Sequence, residues 1–264
     1  MKYLNLHTIF CQLRLYTIMN GANPTLMKGF SMKILNLNVN DFGGKKYHLE
    51  EYKKYGLRQW DAIDKIDVID GILGLIDSFN PDIVIFQEYD INSSDAKSFE
   101  KDMLKRGYLL KSEKVRYVRP SMTVFFIKTS IEALYVPTGH ELNGRAYAVK
   151  IGDMTVYGTH VPPKGNDRII QFWKELTDFA DSIASGKFIF TGDFNTINVY
   201  NMTELESFLH KTNAIDAWKA KGNTEQISIM GDYVICSPDI NLETAKISSC
   251  DTAFSDHPVI YLSI

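Results

Sequence analysis

The sequence predicts an α/β (α+β) protein, a layered body of helices on a largely antiparallel strand core. Three observations carry that prediction. From Met32 onward, short apolar runs with strand character outnumber helical patterns. Several of these runs join through tight turns. The chain, at 264 residues and 45% hydrophobic, is long enough to bury a sizeable core.

The elements follow in order. Lys33 to Val39 reads as a strand on its apolar enrichment. Trp60 to Phe79 reads as a helix, with Ile63, Ile66, Val68, Ile69, Ile72, Leu73 and Ile76 at helical spacing. Asn80-Pro81 stops it, because the residue before proline is pushed out of the helical region. Asp82 to Gln87 (DIVIFQ) is a buried strand and Asp95 to Arg106 a helix. Thr123 to Lys128, Ala146 to Ile151 and Met154 to Thr159 are strands, the last two closed by Gly152-Asp153 as a hairpin. Asn166 to Ile183 is a helix, and Lys187 to Thr191, Asp232 to Ser237 and Pro258 to Ile264 are strands. No linker splits residues 32–264, which form one domain. Residues 1–31 read differently: Asn5, His7, Gln12 and Arg14 interrupt any apolar run, and Gly21, Asn23, Pro24 and Gly29 break the chain. This stretch is an N-terminal extension, and Met32 is an alternative start.

Composition excludes several classes. A net charge of −3, from 29 basic and 32 acidic side chains, does not suit a protein that coats nucleic acid by charge alone. It leaves room for a local basic rim. Cys11, Cys236 and Cys250 are odd in number and scattered, which excludes a disulfide framework and a paired-cysteine metal site. No apolar run reaches membrane length, so no membrane insertion is expected and the expected compartment is the cytoplasm. Nothing in the sequence calls for an obligate protein partner.

The informative residues are polar groups at the ends of apolar strands, where core packing does not explain them. Asn38 ends the first strand, as a turn residue or a ligand. Glu88 follows DIVIFQ directly; it is a solvated exit or a ligand for a hard cation, since Mg²⁺ takes one or two carboxylates plus waters and phosphate. His160 ends VYGTH before two prolines. Asp193 and Asn195 in GDFNT follow KFIFT and converge on one ligand if the chain is extended, or form an Asx-turn. Asp256 and His257 lie in SDHP before the last strand, with Asp232 as the candidate partner for His257. Together these carboxylates, amides and imidazoles are a set suited to metal-assisted hydrolysis of a phosphate ester.

In order and spacing, the N-x-N strand, PDIVIFQE, GTH, GDFN, the Asp232-Tyr233 strand and SDHPV resemble the endonuclease/exonuclease/phosphatase superfamily. That group includes pancreatic deoxyribonuclease, exonuclease III, inositol polyphosphate 5-phosphatases and neutral sphingomyelinases. The resemblance runs from Met32 to Ile264. It implies a deoxyribonuclease I-like four-layered α/β sandwich with two mixed sheets. It also implies Mg²⁺ (Mn²⁺ as a substitute) held by Glu88 with Asn38 and Asp256, His257 as general base oriented by Asp232, Asp193 and Asn195 positioning water and a phosphate oxygen, and His160 donating to that phosphate. In some mechanisms of this group the GDFN aspartate is the base instead. Asn40 stands where some abasic-site endonucleases carry an Asp, and the signatures of the inositol 5-phosphatases are not matched.

Substrate is less defined. Residues 41–58 interleave Lys45, Lys46, Lys53, Lys54 and Arg58 with Tyr47, Tyr52 and Tyr55, either a surface for unpaired nucleotides or a solvated helix face. Tyr47, Lys53, Tyr55 and, from the resemblance, Arg145 are the candidate substrate contacts. The expected activity is a nuclease on DNA or RNA. The alternative is a phosphodiesterase or phosphatase acting on a small-molecule or lipid-headgroup phosphate.

Overall fold

A computed structural model describes residues 31–43, 65–111, 121–139, 144–163, 167–222, 231–250, 252 and 254–264. The strands are β1 (Lys33–Asn38), β2 (Ile83–Asp90), β3 (Tyr108–Leu110), β4 (Ser121–Lys128), β5 (Leu134–Tyr135), β6 (Ala146–Ile151), β7 (Met154–His160), β8 (Lys187–Asp193), β9 (Ile215–Asp216), β10 (Asp232–Cys236), β11 (Lys246–Cys250) and β12 (Val259–Ser263). The helices are α1 (Lys65–Phe79), α2 (Ser94–Lys105), α3 (Asp167–Ile183), α4 (Val199–Thr212) and the single turn α5 (Ala217–Ala220). One sheet has the order β11-β12-β1-β2-β4-β3, the other β5-β6-β7-β8-β10-β9. Each holds one parallel pair, β1–β2 and β7–β8, in an otherwise antiparallel set.

Side-chain alternation builds the layers. Along β1, β2, β4 and β12 one parity (Leu35, Val84, Phe126, Tyr261) packs under α1 and α2. The other parity (Ile34, Ile85, Phe125, Ile260) faces the second sheet. In the second sheet Ile189 and Val234 meet that inner core, while Phe190 and Ile235 pack against α3 and α4. Three apolar interfaces therefore separate four layers, helix–sheet–sheet–helix, as the resemblance implied. Among the described residues, no helix is long and apolar enough to cross a membrane.

Each strand anticipated from the sequence lies within three residues of its expected bounds, the largest difference being β2, which runs on to Asp90. The described part of the first helix is α1; Trp60 to Asp64 fall outside the described residues, as do residues 1–30. The sequence reading did not assign β3, β5, β9, β11, α4 or α5. The short strands have two to five residues, too few to show a period. Helix α4 did carry a signal, the cap Asn198 before Met202, Leu205, Phe208 and Leu209.

One glycine is required by close approach. Gly192 sits at φ +145°, paired with Thr159 of β7, and a Cβ there would lie 1.9 Å from the Thr159 carbonyl oxygen. Gly192→Ala is expected to cost about 3 kcal/mol, read by calorimetry as a fall of roughly 6–12 °C in Tm.

Candidate active site

The site forms where the inner parity of both sheets turns from apolar to polar. On β1 that parity runs Ile34, Asn36, Asn38; on β2 Ile83, Ile85, Gln87; on β8 Ile189, Thr191, Asp193. Asp193 is the register partner of His160 on one side and of Asp232 on the other. Three candidate side chains, His160, Asp193 and Asp232, thus stand in a row across β7, β8 and β10, facing the ends of β1 and β2.

Glu88 joins them through a β-bulge. Phe86 pairs with Val124 and Tyr89 with Met122, so Gln87 and Glu88 together oppose Thr123. Glu88 takes a left-handed conformation (φ 51°). The extra residue lets two consecutive side chains reach the inner side: Gln87 Nε2 donates to Asn36 Oδ1 at 2.8 Å, and Glu88 Oε1 accepts from Asn38 Nδ2 at 3.3 Å. Thr123, released from that pairing, donates its N–H to the Gly144 carbonyl (2.6 Å) and its hydroxyl to the Arg145 carbonyl (3.0 Å). The bulge thereby ties the two sheets together beside the site.

The loop before β12 supplies the imidazole. Ser255, buried, donates its hydroxyl to the Asn38 carbonyl and accepts from the His257 N–H at 3.0 Å. His257 Nδ1 lies 2.7 Å from Asp232 Oδ2, across the gap between the sheets. The Asp193 Oδ2 atom is the hub: Asn38 Nδ2 donates to it at 3.4 Å, with His160 Nε2 at 3.6 Å and His257 Nε2 at 3.8 Å. His160 Nε2 is also 3.6 Å from Glu88 Oε1.

Asn38, Glu88, His160, Asp193, Asp232 and His257 are thus one continuous network. Asp256 stands at its margin, with Oδ1 3.5 Å from Ser255 Oγ. Arg145 is adjacent, donating from Nη1 to the His160 carbonyl at 3.2 Å. Asn195 follows the Asx-turn alternative: its N–H donates to Asp193 Oδ1 at 2.8 Å and it takes a left-handed φ of 50°, so the pair is not extended. Its Nδ2 donates to the Val161 carbonyl at 2.7 Å, coupling the exits of β7 and β8. Tyr47, Lys53 and Tyr55 lie outside the described residues.

Sequence reasoning missed Ser255 and Asn201. Asn201 is fully buried in the first turn of α4, where a polar residue on an amphipathic helix reads as solvent-facing. Its Oδ1 accepts from Trp173 Nε1 (2.9 Å), and its Nδ2 donates to the carbonyls of Pro162 (3.0 Å) and Asn195 (3.2 Å). It therefore locks the loops that follow His160 and Asp193 to each other. Asn201→Leu strands one buried donor and two carbonyls. It is expected to lower stability by about 2–4 kcal/mol and kcat by about tenfold, with KM little changed, read by steady-state kinetics at a temperature where the variant is folded.

Burial sets the electrostatics. It pushes the Asp193 carboxyl up to about 7, against the pull of the His257 charge and reinforced by Asp232 and Glu88. It also raises Asp232, again opposed by the charge and hydrogen bond of His257. Burial works the other way on His257 and would depress it. The charge and hydrogen bond of Asp232, then the charges of Asp193 and Asp256, outweigh that and raise it to about 10.

The donor set fits a hard cation that keeps much of its water. Glu88 offers a carboxylate that is one-third exposed, beside the Asn38 amide. Among the described residues no group of three or more His, Cys, Asp or Glu side chains is arranged to hold a metal.

The comparisons agree with this architecture. The model of the Endonuclease/Exonuclease/phosphatase family matches residues 63–257. The fold resembles the AP endonuclease LMAP from Leishmania major (TM-score 0.62, 13% identity, covering 92% of each chain). It also resembles the 3′ phosphatase NExo from Neisseria bound to a product DNA hairpin (0.60, 13%, 88% of this chain and 98% of that one). TDP2 from D. rerio complexed with single strand DNA product is similar as well (0.58, 13%, 89% and 99%). At these identities the likeness is one of fold. No curated protein matches the chain by sequence. Members of the matched family are hydrolytic and generally depend on a divalent metal. With more than half of its length matched, the chain belongs to the endonuclease/exonuclease/phosphatase family of hydrolases.

Proposed function

We propose that this protein is a Mg²⁺-dependent phosphoesterase (Mn²⁺ able to substitute) that hydrolyses phosphodiester bonds in DNA or RNA. The observation that carries the reading is the single network joining Glu88 and Asn38 on one sheet to His160, Asp193 and Asp232 on the other, closed by His257. The DNA held by NExo and TDP2 supports nucleic acid as the substrate class.

Glu88 and Asn38 would hold the ion, with Asp256 at the margin. When bound, the ion neutralises phosphate charge and acidifies the attacking water. Asp193 Oδ2 would take the proton of the attacking water as its oxygen bonds phosphorus and the opposite ester P–O bond breaks, the departing oxygen taking a proton from solvent; a carboxyl raised to about 7 by burial is matched to that task at neutral pH. His257, kept cationic by Asp232, donates from Nε2 to a phosphoryl oxygen, and His160 donates from the other side. The sequence expectation named His257 as base with the GDFN aspartate as the alternative; Asp232, 2.7 Å from His257 Nδ1, favours the alternative because its charge stabilises the imidazolium. Asn195 shapes the Asx-turn that aims Asp193, and Arg145 flanks the phosphate.

The test is hydrolysis with Mg²⁺ on end-labelled single- and double-stranded DNA, on RNA and on bis-p-nitrophenyl phosphate, each with an EDTA control and a His257→Ala control. Metal-dependent cutting of polymer that the variant loses by about 10²–10⁴-fold is the expected result. Turnover of the small ester beside intact polymers would instead favour a small-molecule or lipid-headgroup phosphate.

A further inference from the structure

Phe254 belongs to the loop that delivers His257, yet its ring packs on the outer core under α1. A Cβ built on Gly71, inside α1, would lie within 2.5 Å of the Cδ1, Cε1 and Cζ atoms of that ring. The ring therefore sits in a notch that only glycine leaves open. Glycine is a poorer helix former than alanine, and Gly71 lies on the buried stripe between Val68 and Leu75. Gly74, on the same helix, has nothing within 4 Å of its built Cβ. The two glycines differ in one respect, the ring of Phe254.

From that notch the loop is fixed at each step inward. The Phe254 N–H donates to Thr252 Oγ1 at 3.1 Å. Ser255 Oγ donates to the Asn38 carbonyl at the end of β1 and accepts from the His257 N–H at 3.0 Å. His257 Nδ1 then meets Asp232 Oδ2 at 2.7 Å in the gap between the sheets. Four consecutive residues thus run from the helix layer, past the end of β1, to the buried carboxylate. We propose that Gly71 and Phe254 are positioning residues: the ring seated in the notch of α1 sets the depth at which Ser255 and His257 enter the site. The inference goes beyond the phosphoesterase reading and relies on it only for a kinetic readout. With a methyl group in the notch, the ring must withdraw by about 1 Å to regain ordinary contact. Ser255, the next residue, carries that displacement to the imidazole.

The test compares wild type, Gly71→Ala, Phe254→Ala, the double variant and Gly74→Ala. Three quantities are read: kcat and KM on whichever substrate named above the wild type turns over, Tm, and the downfield Nδ1–H proton resonance of His257, assigned by its loss in His257→Gln. Gly71→Ala is expected to lower kcat about 10–100-fold with KM within about twofold, as misplacement by about 1 Å does. Its Tm should stay within about 4 °C of wild type, because the ring rides on a loop and the helix gains an alanine. The resonance should shift or broaden. Gly74→Ala should raise Tm by about 1–4 °C and leave kcat and the resonance unchanged. Once Phe254→Ala has removed the ring, adding Gly71→Ala should cost less than about threefold in kcat. An equal loss in both backgrounds, or an unchanged kcat in Gly71→Ala, overturns the proposal. Should Gly71→Ala not fold, Phe254→Ala decides, and an unchanged resonance there overturns it. A wild type that turns over none of the substrates overturns the phosphoesterase reading alone. The notch then stands or falls on the resonance, and falls if Gly71→Ala leaves it at the wild-type position.

Discussion

Replacing Glu88 by alanine is expected to reduce hydrolysis by at least about 10³-fold and to remove the rise in Tm that the metal gives the wild-type protein. The first effect follows from taking away the carboxylate best placed to hold the ion; charge neutralisation and water acidification are then lost together. The second follows from linkage. A ligand that binds only the native state stabilises it by RT ln(1 + [L]/Kd), about 2.7 kcal/mol at a hundredfold excess over Kd. The variant should show no such shift. In EDTA the two proteins should melt within about 2 °C of each other, because Glu88 is one-third exposed and alanine keeps the left-handed backbone of the bulge. A metal-induced shift that survives in Glu88→Ala would move the ion elsewhere.

Asp193→Asn is expected to lower activity by about 10²–10⁴-fold while making the metal-free protein more stable. The carboxylate is fully buried, with Asp232 as its register partner on β10 and Glu88 across the gap, where each added negative charge opposes the others. Its carboxyl is raised in the fold to about 7 from the ordinary aspartate value near 3.8, so between those limits the native state holds a proton that the unfolded chain has released. Stability in EDTA therefore falls as pH rises from about 4 to about 7. The asparagine lacks that slope. The two melting temperatures should lie close together near pH 4 and separate above pH 7, the variant being higher by about 2 kcal/mol, or about 5 °C. Equal melting at pH 8 would mean that the site does not strain the fold.

Most of the fold and most of the network were legible because strand ends are rigid. A carboxylate after DIVIFQ or KFIFT can be located from the sequence by counting alternate residues, and the layered core follows from the same parity. Three things were not legible. The bulge at Gln87 and Glu88 leaves no compositional mark, since QE after an apolar run looks the same with or without an extra residue. Asn201 looks like a surface residue of an amphipathic helix until its three partners are seen, and two of those partners are main-chain carbonyls that no pattern of side chains predicts. The roles of Asp193 and His257 depend on how deeply each carboxylate is buried, and spacing along the chain carries no information about desolvation.

The position of the last strand has a consequence for synthesis. β12 lies between β11 and β1, so a strand made near the end of the chain completes the sheet begun by the first one. The loop just before it carries His257 and the Ser255 that grips Asn38. Contacts this distant in sequence close slowly, and a chain emerging from the ribosome acquires its N-terminal part first. A nascent chain lacking residues 255–263 can hold Glu88, His160 and Asp193 but no imidazolium opposite Asp232. The imidazole side of the network therefore waits on the pairing of β12 with β1.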